Sequence, residues 1–183
     1  SDTGHTNSYG AEKVTEYLGK YLDGHYNLED KRGGAQYTLW DENLMMWKHQ
    51  KQNQILRETT DLGLYLDSIS GLEGYTVIMA TRGEYLAGDG ENLAESLADM
   101  GIDASFFQME GAWVVEDGAF QYGTGLEDGF RHMEIGGSDA VIHGNDGQMH
   151  IIIERQEYMR ANPGIDILLY DNILEEVADI VGF

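Results

Sequence analysis

Apolar residues recur at helical spacing in three stretches of the chain. In the first of these, Val14 and Tyr21 share one face with the apolar residues between them. The second begins at Thr59 or Thr60, either of which is a suitable N-cap, and the third ends at Gly101, which is typical of a C-cap. We therefore predict helices over residues 11–22, 59–69 and 91–100.

Short apolar runs between turn residues predict strands. The run Tyr-Thr-Val-Ile-Met-Ala at residues 75–80 has no polar face, which indicates a central strand buried on both sides. Residues 37–40 and 44–47 are predicted to be two short strands joined by a turn, and the glycine-rich residues 117–129 a loop. Further strands are predicted over residues 102–109, 112–116, 131–135, 140–143, 149–154, 165–171 and 177–181.

The Asp-Gly pair at residues 146–147 is typical of a two-residue hairpin turn. Such a turn pairs His143 with His150, places Glu154 on the same face and leaves Ile151 on the other. Two imidazoles at that spacing could bind zinc weakly or respond to pH through mutual repulsion. Because zinc sites use three or four ligands, an exposed cross-strand pair is the favoured interpretation.

The order of elements predicts an α+β fold, with a β-rich sheet core and two or three flanking helices. We expect an N-terminal helical segment at residues 1–30, a main domain at 31–135, and C-terminal β-hairpins at 136–183 packing on the same core. Residues 34–47 and 164–177 share a glycine, an aromatic residue, an aspartate and a leucine at equal spacing. This echo predicts two copies of a strand–turn–strand unit, although a chance match competes with it.

The charge of the chain limits its partners. Its 183 residues include 33 acidic and 11 basic side chains, for a net charge of −22. Such a surface repels phosphate backbones and anionic membranes, so we do not expect nucleic-acid binding. No apolar run approaches the ~20 residues that a membrane helix needs, so we do not expect membrane insertion. Solubility explains the acidity most simply, and a saline habitat or DNA mimicry are the alternatives. The absence of cysteine excludes disulfides, thiol nucleophiles and thiolate metal sites.

Part of the chain resembles a known family. The carrying segments are Asp-Leu-Gly-Leu-Tyr-Leu-Asp-Ser-Ile at 61–69, Gly-Tyr-Thr-Val-Ile-Met-Ala-Thr at 74–81, Leu-Ala-Glu-Ser-Leu-Ala-Asp-Met-Gly-Ile at 93–102, and Trp113 before Gly118. Their order is similar to that of the interleukin-like EMT inducer (ILEI) domain. That domain occurs in secreted cytokine-like animal proteins, in the stem of a protein O-mannose N-acetylglucosaminyltransferase, and in bacterial surface and phage proteins.

The resemblance covers residues 33–118 and is of the bacterial or phage surface type, with residues 164–183 resembling a truncated second copy. The chain departs from the family at Arg32-Gly33-Gly34-Ala35, which lacks the usual asparagine, and at Arg82-Gly83-Glu84 after the buried strand. The family implies a compact β-rich fold without catalytic machinery. Its place in the transferase stem implies glycan binding, by analogy of fold alone.

Catalytic patterns are missing from the sequence. It has no Gly-x-Ser-x-Gly elbow, and its glycine-rich stretch carries acids where a phosphate loop needs lysine. We therefore expect that the protein is not an enzyme. Calcium could bind the turn containing Asp89, Glu91 and Asn92 or the one at Asn145-Asp146, but ordinary turn chemistry explains both.

Aromatic residues beside acids are the candidates for a ligand site. Trp113 and Tyr122 flank the predicted loop, with Glu116 and Asp117 nearby. Aromatic rings stack on sugars, whereas a strand tryptophan more often belongs to the core.

The expected function is a non-catalytic extracellular recognition module that binds a glycan or a protein on a cell surface. The alternative is a structural subunit of a surface filament or virus particle, whose partners are copies of itself. Both place the chain outside the cell, or on a cell or virion surface.

Overall fold

The computed structural model describes residues 8–31, 33–82, 90–103, 110–125, 130–145, 148–160 and 164–183. Two antiparallel sheets and four α-helices lie within these ranges, which confirms the predicted α+β class with a β-rich core. The chain forms two compact units, Ser1–Lys51 and Gln52–Phe183, so the division falls at residue 51 and not at residue 30.

The helices are α1 (Ser8–His25), α2 (Thr38–Arg57), α3 (Leu62–Ile69) and α4 (Gly90–Asp99), and a 3-10 turn at Ala35–Tyr37 precedes α2. The first sheet has the order β3-β2-β1-β8-β9 and the second has the order β4-β5-β6-β7. Their strands are β1 (Tyr75–Arg82), β2 (Gly111–Glu116), β3 (Ala119–Gly125), β4 (Phe130–Ile135), β5 (Ser138–Asn145), β6 (Gln148–Ile153), β7 (Gln156–Arg160), β8 (Gly164–Asp171) and β9 (Glu176–Gly182).

Strand β1 is central and buried on both faces, as predicted. It pairs antiparallel with β2 on one side and with β8 on the other. Val77 and Met79 pack in a cluster with side chains of α3 and α4, while Ile78 and Ala80 pack against the four-stranded sheet. The C-terminal unit therefore has three layers: helices, the five-stranded sheet and the four-stranded sheet.

The predicted strand pair at residues 37–47 is wrong, because these residues lie in the 3-10 turn and in α2. From Thr38 to Arg57 the chain contains neither glycine nor proline and is rich in Leu, Met, Gln and Lys, all good helix formers. Asp41, expected in a turn, lies instead in the first helical turn, where a negative charge is favourable.

The other predicted helices are confirmed, with one change of cap. Asp61, and not a threonine, caps α3, because its Oδ1 accepts a hydrogen bond of 2.9 Å from the backbone N–H of Leu64. Thr59 instead donates its hydroxyl to Ile55 at the end of α2. Gly101 follows α4 with φ of 75°, the left-handed conformation expected of a C-cap glycine.

The predicted loop at residues 117–129 is wrong over its first part, which forms β3. Asp117 and Gly118 both have positive φ, 50° and 72°, as a two-residue hairpin turn requires. Strand β7 was not predicted, because the preceding turn uses Glu154 and Arg155 at positive φ without any glycine. Part of the predicted strand at 102–109, the end of the loop, and the turn residues 89 and 146–147 lie outside the described residues.

The C-terminal segment is a strand pair that completes the sheet within its own chain, as predicted. Strand β8 pairs with β1 from Tyr75↔Asp171 to Arg82↔Gly164, and β9 pairs with β8. The echo between residues 34–47 and 164–177 is not a structural repeat, because the first is largely helical and only the second is a strand pair. Strand β8 thus occupies the side of β1 opposite β2.

Candidate functional site

The residues predicted to bind a ligand are not arranged as a surface for stacking on sugars. Trp113 is only 7% exposed and belongs to the helix-side core. Asp117 stabilises the backbone just before β1, since its Oδ1 accepts a hydrogen bond of 2.7 Å from the backbone N–H of Gly74. Glu116 is partly exposed at the end of β2, and Tyr122 pairs with Val114 through the β3 backbone, while its side chain lies outside the described part.

The histidine pair forms with the predicted register. His143 lies opposite His150, and their ring centroids are 6.0 Å apart. The acidic neighbour is not the predicted one: His150 Nδ1 lies 2.5 Å from Glu157 Oε1, on β7. Glu154 lies in the turn before β7 and accepts a hydrogen bond of 3.0 Å from the backbone N–H of Asp139.

Within the described ranges, no three His, Asp or Glu side chains are placed to hold one metal ion together. The residues at 143 and 150 therefore offer two imidazoles where a protein zinc site uses three or four ligands. Of the acids proposed for calcium, those at 89 and 146 lie outside the described residues, as do the side chains at 91, 92 and 145.

An open depression of about 390 Å³ lies at one end of the four-stranded sheet. It is lined by His132, Met133, Glu134, Gly137, Asp139 and Glu154. His132 Nδ1 is 3.9 Å from Asp139 Oδ1, and both side chains are largely exposed, so water screens this pair. The depression is an acidic, solvated surface that resembles neither a phosphate site nor an enclosed apolar pocket.

A buried polar network holds the end of β8 inside the C-terminal unit. The Tyr75 hydroxyl donates to Asn53 Oδ1 at 2.8 Å, and Asn53 Nδ2 donates to Asp171 Oδ2 at 2.9 Å. The other Asp171 oxygen accepts from the backbone N–H groups of Ile173 and Leu174, both at 3.0 Å. Burial, together with the charge of Asp171, raises the pKa of Tyr75.

A second buried phenol repeats this arrangement on α3. The Tyr65 hydroxyl donates to Asp179 Oδ2 at 2.9 Å, and burial followed by the charge of Asp179 raises the pKa of Tyr65. Both phenols therefore stay protonated and act as hydrogen-bond donors. Their contacts are internal to the fold, which indicates a structural role.

The N-terminal unit has a different character, because none of its side chains described between residues 9 and 51 is buried. Tyr17 is 74% exposed and Trp40 is 73% exposed. We call the exposed large apolar side chains of its two helices the apolar helix surface. These are Tyr9, Val14, Tyr17, Leu18 and Tyr21 on α1, and Leu39, Trp40, Leu44, Met45, Met46 and Trp47 on α2.

Polar contacts in this unit connect its two helices and leave the apolar side chains in solvent. Lys51 Nζ lies 2.6 Å from Glu12 Oε1, which brings the beginning of α1 close to the later part of α2. The same ammonium lies 5.5 Å from the centroid of the Trp47 ring. Sequence periodicity identified the apolar side of α1 but did not show that it would remain exposed.

No described helix is long and apolar enough to cross a membrane. No protein-family model, curated protein or solved structure matches the chain.

Proposed function

We propose that this protein is a non-catalytic binding protein, and that the apolar helix surface is the part that meets its partner. The observation that carries the proposal is the exposure of eleven large apolar side chains on the two helices of the N-terminal unit. Soluble proteins rarely expose this many large apolar side chains close together in the chain unless they belong to an interaction site. The extracellular or virion-surface setting implied by the family resemblance belongs to the same proposal.

The burial of Trp113 counts against the glycan site that the sequence suggests beside residues 113–122. A glycan site needs an aromatic ring at the surface, and this ring lies in the core. The apolar helix surface instead offers exposed Trp, Tyr and Met, which are enriched in protein–protein interfaces, together with exposed Leu. A structural or assembly role is therefore the better-supported proposal, ahead of glycan recognition.

Tryptophan fluorescence provides a direct test, because the chain has only three tryptophans. Trp40 and Trp47 are exposed and Trp113 is buried, so acrylamide should quench mainly the first two. We expect this quenching to fall when the protein is concentrated or is mixed with its partner, as those two rings become covered. The probes are the protein itself at rising concentration, neutral phosphatidylcholine vesicles, and a glycan array.

The matched variant replaces both exposed rings, Trp40→Gln with Trp47→Gln, in the full chain. If every interaction found with these probes survived the double change, the binding surface would lie elsewhere and the proposal would fail. Glycan binding that persisted in the variant would instead assign glycan recognition to the C-terminal unit.

A further inference from the structure

Exposed apolar side chains point in several directions around the first half of α2, with Asp41, Glu42 and Asn43 among them. At 3.6 residues per turn, Leu39, Leu44 and Met45 are separated by roughly 100–140° around the helix axis. All three are exposed, as are Trp40 and Trp47. Because these apolar side chains face several directions, a partner that touched only one side of α2 would leave many of them in water.

The area of the surface matches what a stable protein interface requires. Aromatic side chains bury roughly 150–250 Å² each, so the half-exposed rings and the aliphatic residues together offer on the order of 800 Å². A standard interface buries about 800 Å² on each partner. A partner with two similar helices would supply this area and would approach α2 from more than one side.

Charge is distributed very unevenly between the two units. Ser1–Lys51 carries eight acidic and six basic residues, for a net charge of −2, and it holds every lysine of the chain. Gln52–Phe183 carries 25 acidic and five basic residues, for a net charge of −20. Two copies of the C-terminal unit would repel each other, whereas two copies of the N-terminal unit can meet with little electrostatic cost.

The same balance of charge disfavours a lipid surface as the partner. Interfacial membrane helices present a polar face rich in Lys and Arg, which attracts anionic lipids. Here Glu12 and Glu16 offset the positive charge of two lysines by pairing with them directly. Glu16 lies 2.5 Å from Lys20, and Glu12 lies 2.6 Å from Lys51.

Resting on the proposed function, we infer that the partner is a second copy of this chain, and that the N-terminal units of two or more copies pack through their apolar helix surfaces. The contact is then made by the near-neutral helices.

The test is sedimentation equilibrium of the full chain over a range of concentrations, at low and at high salt. We expect reversible association that strengthens with salt, because the Debye length falls from about 10 Å at about 0.1 M to about 3 Å at about 1 M and screens the repelling C-terminal units. Contact between the lysine-bearing unit of one chain and the acidic unit of another would weaken with salt, and that result would overturn the inference.

The variant Trp40→Gln with Trp47→Gln should weaken association by roughly tenfold or more, as expected for central aromatic residues of an interface. The control is Leu64→Gln with Ile180→Gln, two exposed apolar residues of the C-terminal unit, which should associate like the parent. Circular dichroism checks that both variants are folded, and the salt dependence of the unmodified chain is independent of either variant.

Two outcomes separate this inference from the proposed function. A chain that stays monomeric at every concentration and salt, yet binds phosphatidylcholine vesicles through Trp40 and Trp47, would overturn self-association and leave the apolar helix surface as a binding site. A monomer that binds neither itself nor those vesicles would count against both proposals.

Discussion

The two units of this chain differ in the burial of their apolar side chains. In the C-terminal unit, Val77 and Ile78 on β1 are both buried, because helices cover one face of the sheet and a second sheet covers the other. In the N-terminal unit, Val14 and Tyr17 on α1 are exposed. Apolar content therefore does not by itself produce a core, since the number of layers available to cover each element decides what is buried.

Charge follows the same division. The layered unit carries a net charge of −20 and contains arginine but no lysine, whereas the helical unit is nearly neutral and contains all five lysines. A buried core allows one unit to tolerate self-repulsion, and a nearly neutral surface leaves the other able to associate. Four predictions test this contrast, beginning with the largest expected effect.

Ending the chain after residue 161 removes β8 and β9. Strand β8 lies between β1 and β9 in the five-stranded sheet, so the truncated chain loses core residues from both faces of the sheet and opens the edge of β1. We expect insoluble protein or loss of cooperative unfolding, measured by circular dichroism during heating. A truncated chain that still melted cooperatively near the parent temperature would mean that β8 is dispensable.

The pair Val77→Asp and Val14→Asp places the same change in each unit. Val77 is 2% exposed, so Val77→Asp buries an unpaired charge and should lower the free energy of unfolding by roughly 3–5 kcal/mol. Val14 is 60% exposed, and Val14→Asp should change it by less than about 0.5 kcal/mol in dilute protein. Equal losses in urea unfolding would remove the contrast between the units.

Tyr75→Phe removes the hydroxyl that donates to Asn53 and should cost about 1–2 kcal/mol of unfolding free energy. The pKa of Tyr75 is raised in the folded chain, so the part of the unfolding free energy that depends on this group is fully present below the ordinary tyrosine pKa of 10.0. It is lost as the pH rises above that value. Comparing urea unfolding at pH 8 and above pH 10 should show a smaller alkaline loss in Tyr75→Phe than in the parent.

The matched control for this prediction is Tyr17→Phe on α1, whose side chain is exposed. It should leave both the stability and its alkaline dependence unchanged. An alkaline loss that was identical in all three proteins would show that Tyr75 does not contribute to it.

The smallest expected effect comes from the exposed ion pair of α1. Lys20 lowers the pKa of Glu16 through a hydrogen bond and its charge, but both side chains are more than half exposed and are screened by water. Lys20→Ala should therefore leave the melting temperature of the protein unchanged within experimental error. A clear drop would show that α1 is more tightly held than its exposure indicates.

Local patterns predicted those elements whose signal does not depend on distant neighbours. The apolar run at residues 75–80 indicated a strand buried on both faces, and the Asp-Gly pair at 146–147 set the register that brings His143 opposite His150. The Asp-Gly pair at 117–118 carries the same signal and leads into β3, where the surrounding glycines suggested a loop. Composition alone is therefore a weaker guide than a specific turn pair.

The sequence by itself determined the α+β class, the central strand, the acidity and the absence of cysteine chemistry, because these follow from periodicity and composition. The helix at residues 38–57 follows from good local helix formers, which the strand prediction overlooked. Only the tertiary structure decided that Trp113 lies in the core and that Asn53, Tyr75 and Asp171 meet. Each of these depends on residues far apart in the chain packing together. The exposure of the apolar helix surface was decided at the same level, because helical spacing marks an apolar side but does not say what covers it.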